Sequence, residues 1–185
     1  MDALLAGLGV FTTAVRRQLR CFSDCFFWLA MLAGPLVWMS AMLLPGSATW
    51  VHQILSGESS AVMQLAALLS NWIALVVRHA EVLFFVVLLY PVLEEIVFRG
   101  GLQSWLLEKS AWQRRLGGIS LANMFTTVLF AAMHLINHPV NAAAMVIIPS
   151  LVFGWARERF NGLVAPIALH MFYNAGYFTL LSELR

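Results

Sequence analysis

Five stretches of this chain, roughly 24–44, 82–106, 119–136, 141–156 and 162–182, are apolar over about the ~20 residues a helix needs to cross a ~30 Å hydrocarbon core. Such runs place the chain in a bilayer. Composition agrees: 61% of the residues are hydrophobic, only 11% are charged, and the mean hydropathy is +0.82, far from the balance of a soluble domain. The expected fold class is all-α, a polytopic membrane helical bundle with five to six transmembrane helices.

The polar punctuation organises these spans. The opening stretch MDALLAGLGVFTTAV carries its positive charges after the apolar run, the wrong order for a cleavable signal peptide, and is expected to form an N-terminal interfacial helix. A linker at 45–60, with Pro45, Gly46 and Gly57, divides an N-terminal part (1–60: first helix, first span and linker) from a second membrane part (61–185). The segment 61–77 is apolar enough to be the sixth span. If it does not cross, Arg16, Arg17, Arg20, Lys109, Arg114, Arg115, Arg157 and Arg159 fall in loops on one side, against Arg78 and Arg185 on the other. The positive-inside rule then makes the richer side cytoplasmic. The net charge of +2 comes from these scattered arginines, not from a basic patch with interleaved aromatics, so nucleic acid is not an expected partner. Cys21 and Cys25, four apart at the start of the first span, are expected to share a helix face as buried thiols.

The stretch LFFVVLLYPVLEEIVFRG, residues 83–100, holds Glu94, Glu95 and Arg99 in the middle of oil. An ionisable group there costs a few kcal/mol and by default faces a partner or a water-filled cavity. At ~100° per residue, Glu95 and Arg99 nearly eclipse and can neutralise each other, whereas Glu94 is directed elsewhere and is the carboxylate left free. One arginine cannot neutralise two glutamates, which argues against a purely structural ion-pair network. His134 closes the next apolar run, and His170 and Asn174 share a face of the last. Counted at ~1.5 Å per residue from the cytoplasmic ends, Glu94 lies ~20 Å deep, His134 ~22 Å, His170 ~12 Å and Asn174 ~18 Å. Three helices thus bring polar groups to similar depth.

The set suits hydrolysis. A carboxylate in a low-dielectric cavity can serve as general base on water, a neutral imidazole such as His134 can hold that water, and N–H groups of His170 and Asn174 can face the oxyanion that develops. Other routes lack their residues. The aspartates are Asp2 and Asp24, at or outside the edge of the first span; the lysine is Lys109, in a loop; and neither a GxSxG elbow nor an HExxH zinc motif is present. A divalent metal on Glu94, Glu95, His134 and His170 remains open as an alternative chemistry, as does a non-catalytic, peptide-binding immunity protein. His52, His79 and His138 lie near loops or interfaces and receive no role.

EEIVFR at 94–99, FAAMH at 130–134 and HMFYN at 170–174 match EExxxR, FxxxH and HxxxN. In these motifs, and from about residue 82 to the end, the chain resembles the CPBP family of CAAX proteases and bacteriocin-processing enzymes, also called the Abi family, whose eukaryotic members are CAAX prenyl endopeptidases. The resemblance implies a glutamate-type intramembrane peptidase without a cofactor. Glu94 and His134 would act on the catalytic water and His170 and Asn174 at the oxyanion, with Glu95, Arg99 and Phe130 supporting the site or positioning substrate. It also implies a protein or peptide substrate with a C-terminal membrane-associated tail, such as a sorting signal, and residence in the bilayer of a bacterial cytoplasmic membrane.

Overall fold

The computed structural model describes residues 12–13, 15–42, 70, 73–74 and 77–181. Most of the expected interfacial helix, the linker at 45–60 and most of the segment 61–77 lie outside the described residues, and with them the boundary between the two expected parts.

A 3₁₀ turn, Arg20–Ser23, leads into helix α1, Cys25–Met42. Between them Asp24 is extended (φ −97°, ψ 125°), and its Oδ1 accepts from the backbone N–H of Phe26 at 2.8 Å, the way a short acidic side chain caps a helix start. This break corrects the expectation for the cysteines. Cys21 is buried in the turn and Cys25 opens α1 exposed, so the two free thiols share neither a face nor an environment.

Helix α2 spans 80–107 and is not uniformly α. Two π-helical segments, Phe84–Leu89 and Ile96–Gln103, flank the α-turns of Tyr90–Glu95. Through the second π segment the buried residues, Pro91, Glu95, Arg99 and Gln103, recur every four positions. In a pure α-helix such a series would drift by ~40° at each step, whereas a π turn, with its i→i+5 bonds, is wider and turns the drift back. The mixture keeps one polar stripe facing the bundle.

After α2 the chain makes a 3₁₀ turn, Ser110–Gln113, and a two-stranded hairpin, β1 (Arg115–Leu116) and β2 (Ile119–Ser120), paired Arg115↔Ser120 and Leu116↔Ile119. Gly117 and Gly118 connect the strands at φ 58° and 86°, the positive-φ pair that a two-residue hairpin turn requires. This small ribbon is an addition to the expected all-α architecture.

Helix α3, Leu121–His134, starts on Ser120, whose Oγ accepts from the Asn123 N–H at 3.0 Å. Pro139 precedes the short α4, Val140–Met145; α5, Ile147–Phe160, ends at the left-handed Asn161; and α6, Val164–Leu181, completes the described chain. Arg157 and Arg159 belong to the last turn of α5, not to a loop as expected, where cations oppose the partial negative charge of the helix end. Arg159 reaches Asp24 at 2.9 Å and lies over the Phe26 ring at 4.5 Å, fastening α5 to the start of α1.

These helices fall on the five apolar runs. By length and composition, the described residues contain one helical run able to cross a membrane by itself, α4 and α5 taken together as Val140–Phe160; Cys25–Gly34 and Leu121–His134 are apolar but shorter. Burial is inverted relative to a water-soluble domain. Glu95, Arg99, Gln103, Asn123, Ser150 and His170 are inside, while Val97, Val128 and Ile148 are more than half exposed. A bundle whose exterior meets lipid tails is built this way, with polar side chains joining helices. Phe27, Phe153, Ala156, Ala165, Leu169 and Tyr173 form the apolar core between α1, α5 and α6, closed by a hydrogen bond from the Tyr173 hydroxyl to the Ala30 carbonyl at 2.6 Å.

Candidate active site

Arg99 is fully buried, and its guanidinium determines what surrounds it. One nitrogen donates to Glu95 Oε1 at 3.1 Å, as the four-residue spacing predicts. The other donates to both the backbone carbonyl and Oγ of Ser150, at 3.0 and 2.6 Å. The ring of Phe130 lies 4.8 Å from the guanidinium carbon, so the cation is neutralised on one side and stacked on the other.

Glu95 does more than neutralise. The Nδ1 of His170 lies 2.9 Å from the same Oε1. A carboxylate paired with arginine can only accept, so Nδ1 carries the hydrogen and the lone-pair side of a neutral ring is Nε2. That nitrogen faces Glu94 Oε2 at 3.6 Å, and the Glu94 side chain is 34% exposed while His170 is buried. The expected division holds in part: Glu95 is the paired carboxylate and Glu94 the freer one, but Glu95 also orients a candidate catalytic histidine.

His134 is the last residue of α3, and its Nδ1 lies 2.9 Å from the Phe130 carbonyl. A carbonyl accepts only, so this ring too donates from Nδ1 and keeps Nε2 for another partner. Phe130 occupies the middle: its ring centroid is 4.7 Å from that of His134 and 5.9 Å from that of His170. The aromatic residue of the FxxxH motif is therefore the wall shared by both histidines.

Asn174 lies one turn beyond His170 and gives an amide hydrogen to the Val86 carbonyl at 2.8 Å. Val86 is in the first π segment, where the i→i+5 register redistributes carbonyls, and Asn174 takes one of them. One amide N–H remains for a substrate oxygen. The oxyanion expectation is narrowed accordingly, because the Nδ1–H of His170 is committed to Glu95 and its Nε2 can donate only in the imidazolium form.

Four contributors carried no charge or motif to mark them. Ser150 holds Arg99, Thr127 accepts from Ser150 Oγ at 3.0 Å, Asn123 accepts from Thr127 at 3.3 Å, and Phe153 stacks on His170 at 4.7 Å and 21°. The signal available for the first three was small polar residues within apolar runs, which join helices in membranes. His138, given no role from sequence, stacks on His134 at 5.8 Å.

The donor set bears on metal chemistry. Glu95 Oε1 already accepts from two donors, and among the described residues no three His, Cys, Asp or Glu side chains converge in a metal-holding arrangement. A cavity of about 610 Å³ lined by Ser104, Glu108, Arg115, Arg157, Glu158 and Asn161 among others lies toward the other end of α2 and shares no residue with the Glu94 cluster. The Glu94 cluster is a candidate by its chemistry and not by the size of a cavity.

The protein-family model described as Type II CAAX prenyl endopeptidase Rce1-like matches residues 77–176, over half of the 185-residue chain and all of the cluster above. The chain belongs to the Rce1-like family. No curated protein and no solved structure matches it significantly. Rce1-like proteins are membrane-embedded, and the family implies a protease of the CAAX endopeptidase class. The Rce1-like match covers α2, α3, α4, α5 and most of α6 and leaves α1 outside.

Proposed function

We propose that this Rce1-like chain is a glutamate-dependent intramembrane endopeptidase that hydrolyses a peptide bond near the C-terminal, membrane-associated tail of a protein substrate. The observation that carries the reading is that Phe130 packs against both His134 of α3 and His170 of α6, while Glu94 of α2 lies 3.6 Å from Nε2 of that same His170. In this mechanism a water donates one hydrogen to the Glu94 carboxylate and the other to Nε2 of His134, which turns an oxygen lone pair toward the scissile carbonyl carbon. As the carbon–oxygen bond forms, Glu94 takes the water proton. The carbonyl oxygen, now an alkoxide, accepts from the remaining Asn174 N–H and from His170 when its imidazole is protonated. Glu94 then returns its proton to the amide nitrogen, the carbon–nitrogen bond breaks, and an acid and an amine leave.

The same reading places the enzyme as a multi-pass protein of a bacterial cytoplasmic membrane, with the hairpin and the ends of α2 and α5 on the cytoplasmic side. Lys109, Arg114, Arg115, Arg157 and Arg159 gather there. A sorting tail of an exported protein is the substrate class we favour. The test compares C-terminal tails by mass spectrometry between a deletion strain and strains complemented with wild type, Glu94→Ala or His134→Ala. Wild type should restore a shortened tail, and both variants should insert at normal level without restoring it. Full processing by Glu94→Ala would refute the mechanism.

A further inference from the structure

The three sequence motifs lie on α2, α3 and α6, yet the candidate catalytic pair is oriented by α5, which carries none of them. Ser150 and Phe153 are three apart on α5 and so share a face. Phe153 fixes the plane of the His170 ring by stacking. Ser150 acts at one remove: it accepts Arg99, Arg99 donates to Glu95, and Glu95 accepts Nδ1–H of His170.

The hydroxyl of Ser150 has a defined polarity. It accepts from Arg99 at 2.6 Å and therefore donates to Thr127, which donates in turn to Asn123 Oδ1. Each group accepts from one neighbour and donates to the next, so every bond in the series strengthens the others. The Nδ2 of Asn123 donates to the Leu151 carbonyl at 2.9 Å, returning the series to α5. Ser150 and Thr127 are both buried, which shields this series from competing water.

We propose that Ser150 is a positioning residue for the Glu94–His170 pair, setting the direction of His170 Nε2 through Arg99 and Glu95. Its kinetic consequence rests on the peptidase reading above; its structural consequence does not. Ser150→Ala leaves Arg99 with the backbone carbonyl alone on that side, frees the guanidinium to rotate, and lets the Glu95 carboxylate follow.

The experiment has two arms. In the kinetic arm, Ser150→Ala lowers kcat about 10- to 100-fold, by analogy with the loss when the outer hydrogen-bond partner of a metal-ligating histidine is removed. KM stays within about twofold, and Ser150→Thr, which keeps the hydroxyl, recovers most of the rate. In the spectroscopic arm, ¹⁵N-histidine-labelled protein in bilayer discs, with His170 assigned by His170→Gln, shows moved ring-nitrogen resonances for His170 in Ser150→Ala. If Ser150→Ala does not fold, Thr127→Val, which removes the acceptor of the Ser150 hydroxyl, shows the same shift at smaller amplitude. Unmoved His170 resonances in a folded variant overturn the proposal, as does an equal loss of rate in Ser150→Thr. A wild-type protein that cuts no membrane-anchored tail defeats the peptidase reading instead, and the resonances still decide the role of Ser150.

Discussion

The Glu95 oxygen that receives Arg99 at 3.1 Å also receives His170 at 2.9 Å, so a single atom couples the buried cation on α2 to the imidazole on α6. The adjacent glutamates thereby acquire different tasks. Glu95 is fully enclosed and doubly engaged, whereas Glu94 keeps a third of its side chain open and approaches the far side of the same imidazole. The ion pair serves as the fixed frame against which the candidate general base, Glu94, is placed.

Replacing Glu95 with glutamine keeps the shape and removes the charge. Arg99 is then buried without a counter-ion, a situation that costs roughly 3–5 kcal/mol when a buried pair is broken, moderated here by the two acceptors of Ser150. Glu95→Gln should lower the unfolding temperature in detergent and also slow cleavage. A variant that slows cleavage with unchanged unfolding would show that Glu95 is not the frame.

Asn174→Ala should lose roughly 10²–10³-fold in cleavage rate if its free N–H serves the oxyanion. It should also unfold at lower temperature, because the Val86 carbonyl loses its donor. Rate and unfolding measured on the same preparation separate the two effects. A change in unfolding with no change in rate would remove Asn174 from the chemistry.

Gly154→Ala tests the crossing of α3 and α5. A methyl group at position 154 would run into the Asn123 side chain, which cannot swing aside because it bonds Leu151 and Thr127. Overpacking of this kind costs about 1–3 kcal/mol. Thermal unfolding of the variant should show that loss, and wild-type stability would mean the helices part more readily than their packing indicates.

Chelation addresses the chemistry directly. With Glu94 as the base on an uncoordinated water, cleavage of a tail peptide in bilayer discs should continue at the wild-type rate in excess chelator. Activity lost on chelation and regained with a divalent cation would favour the metal-dependent route.

The candidate site was legible in the sequence where chemistry is concentrated in single letters. Glu94, Glu95, Arg99, His134 and His170 are conspicuous because charge or imidazole is rare in oil, and the four-residue spacing of Glu95 and Arg99 correctly implied their pairing. The helices were legible for the same reason, since apolar length is additive along the chain. Ser150, Thr127 and Phe153 were not, because serine, threonine and phenylalanine are ordinary in an apolar helix and only three-dimensional contact distinguishes them. The π segments escaped as well, since nothing in FFVVLL or IVFRGGLQ departs from an α pattern until the buried face is known. Cys21 is buried as expected, but the shared face with Cys25 failed because a capping aspartate outweighed the apparent continuity of the run.

Those wider turns give α2 an unusual arithmetic. Pro91, Glu95, Arg99 and Gln103 point inward only while the loose windings persist. Were the same letters wound at the ordinary gauge, the three ~40° steps between them would carry Gln103 ~120° around the helix from Pro91. In this helix, phase as well as composition encodes which side chains meet, and the spacing of its letters is as much a functional constraint as their identity.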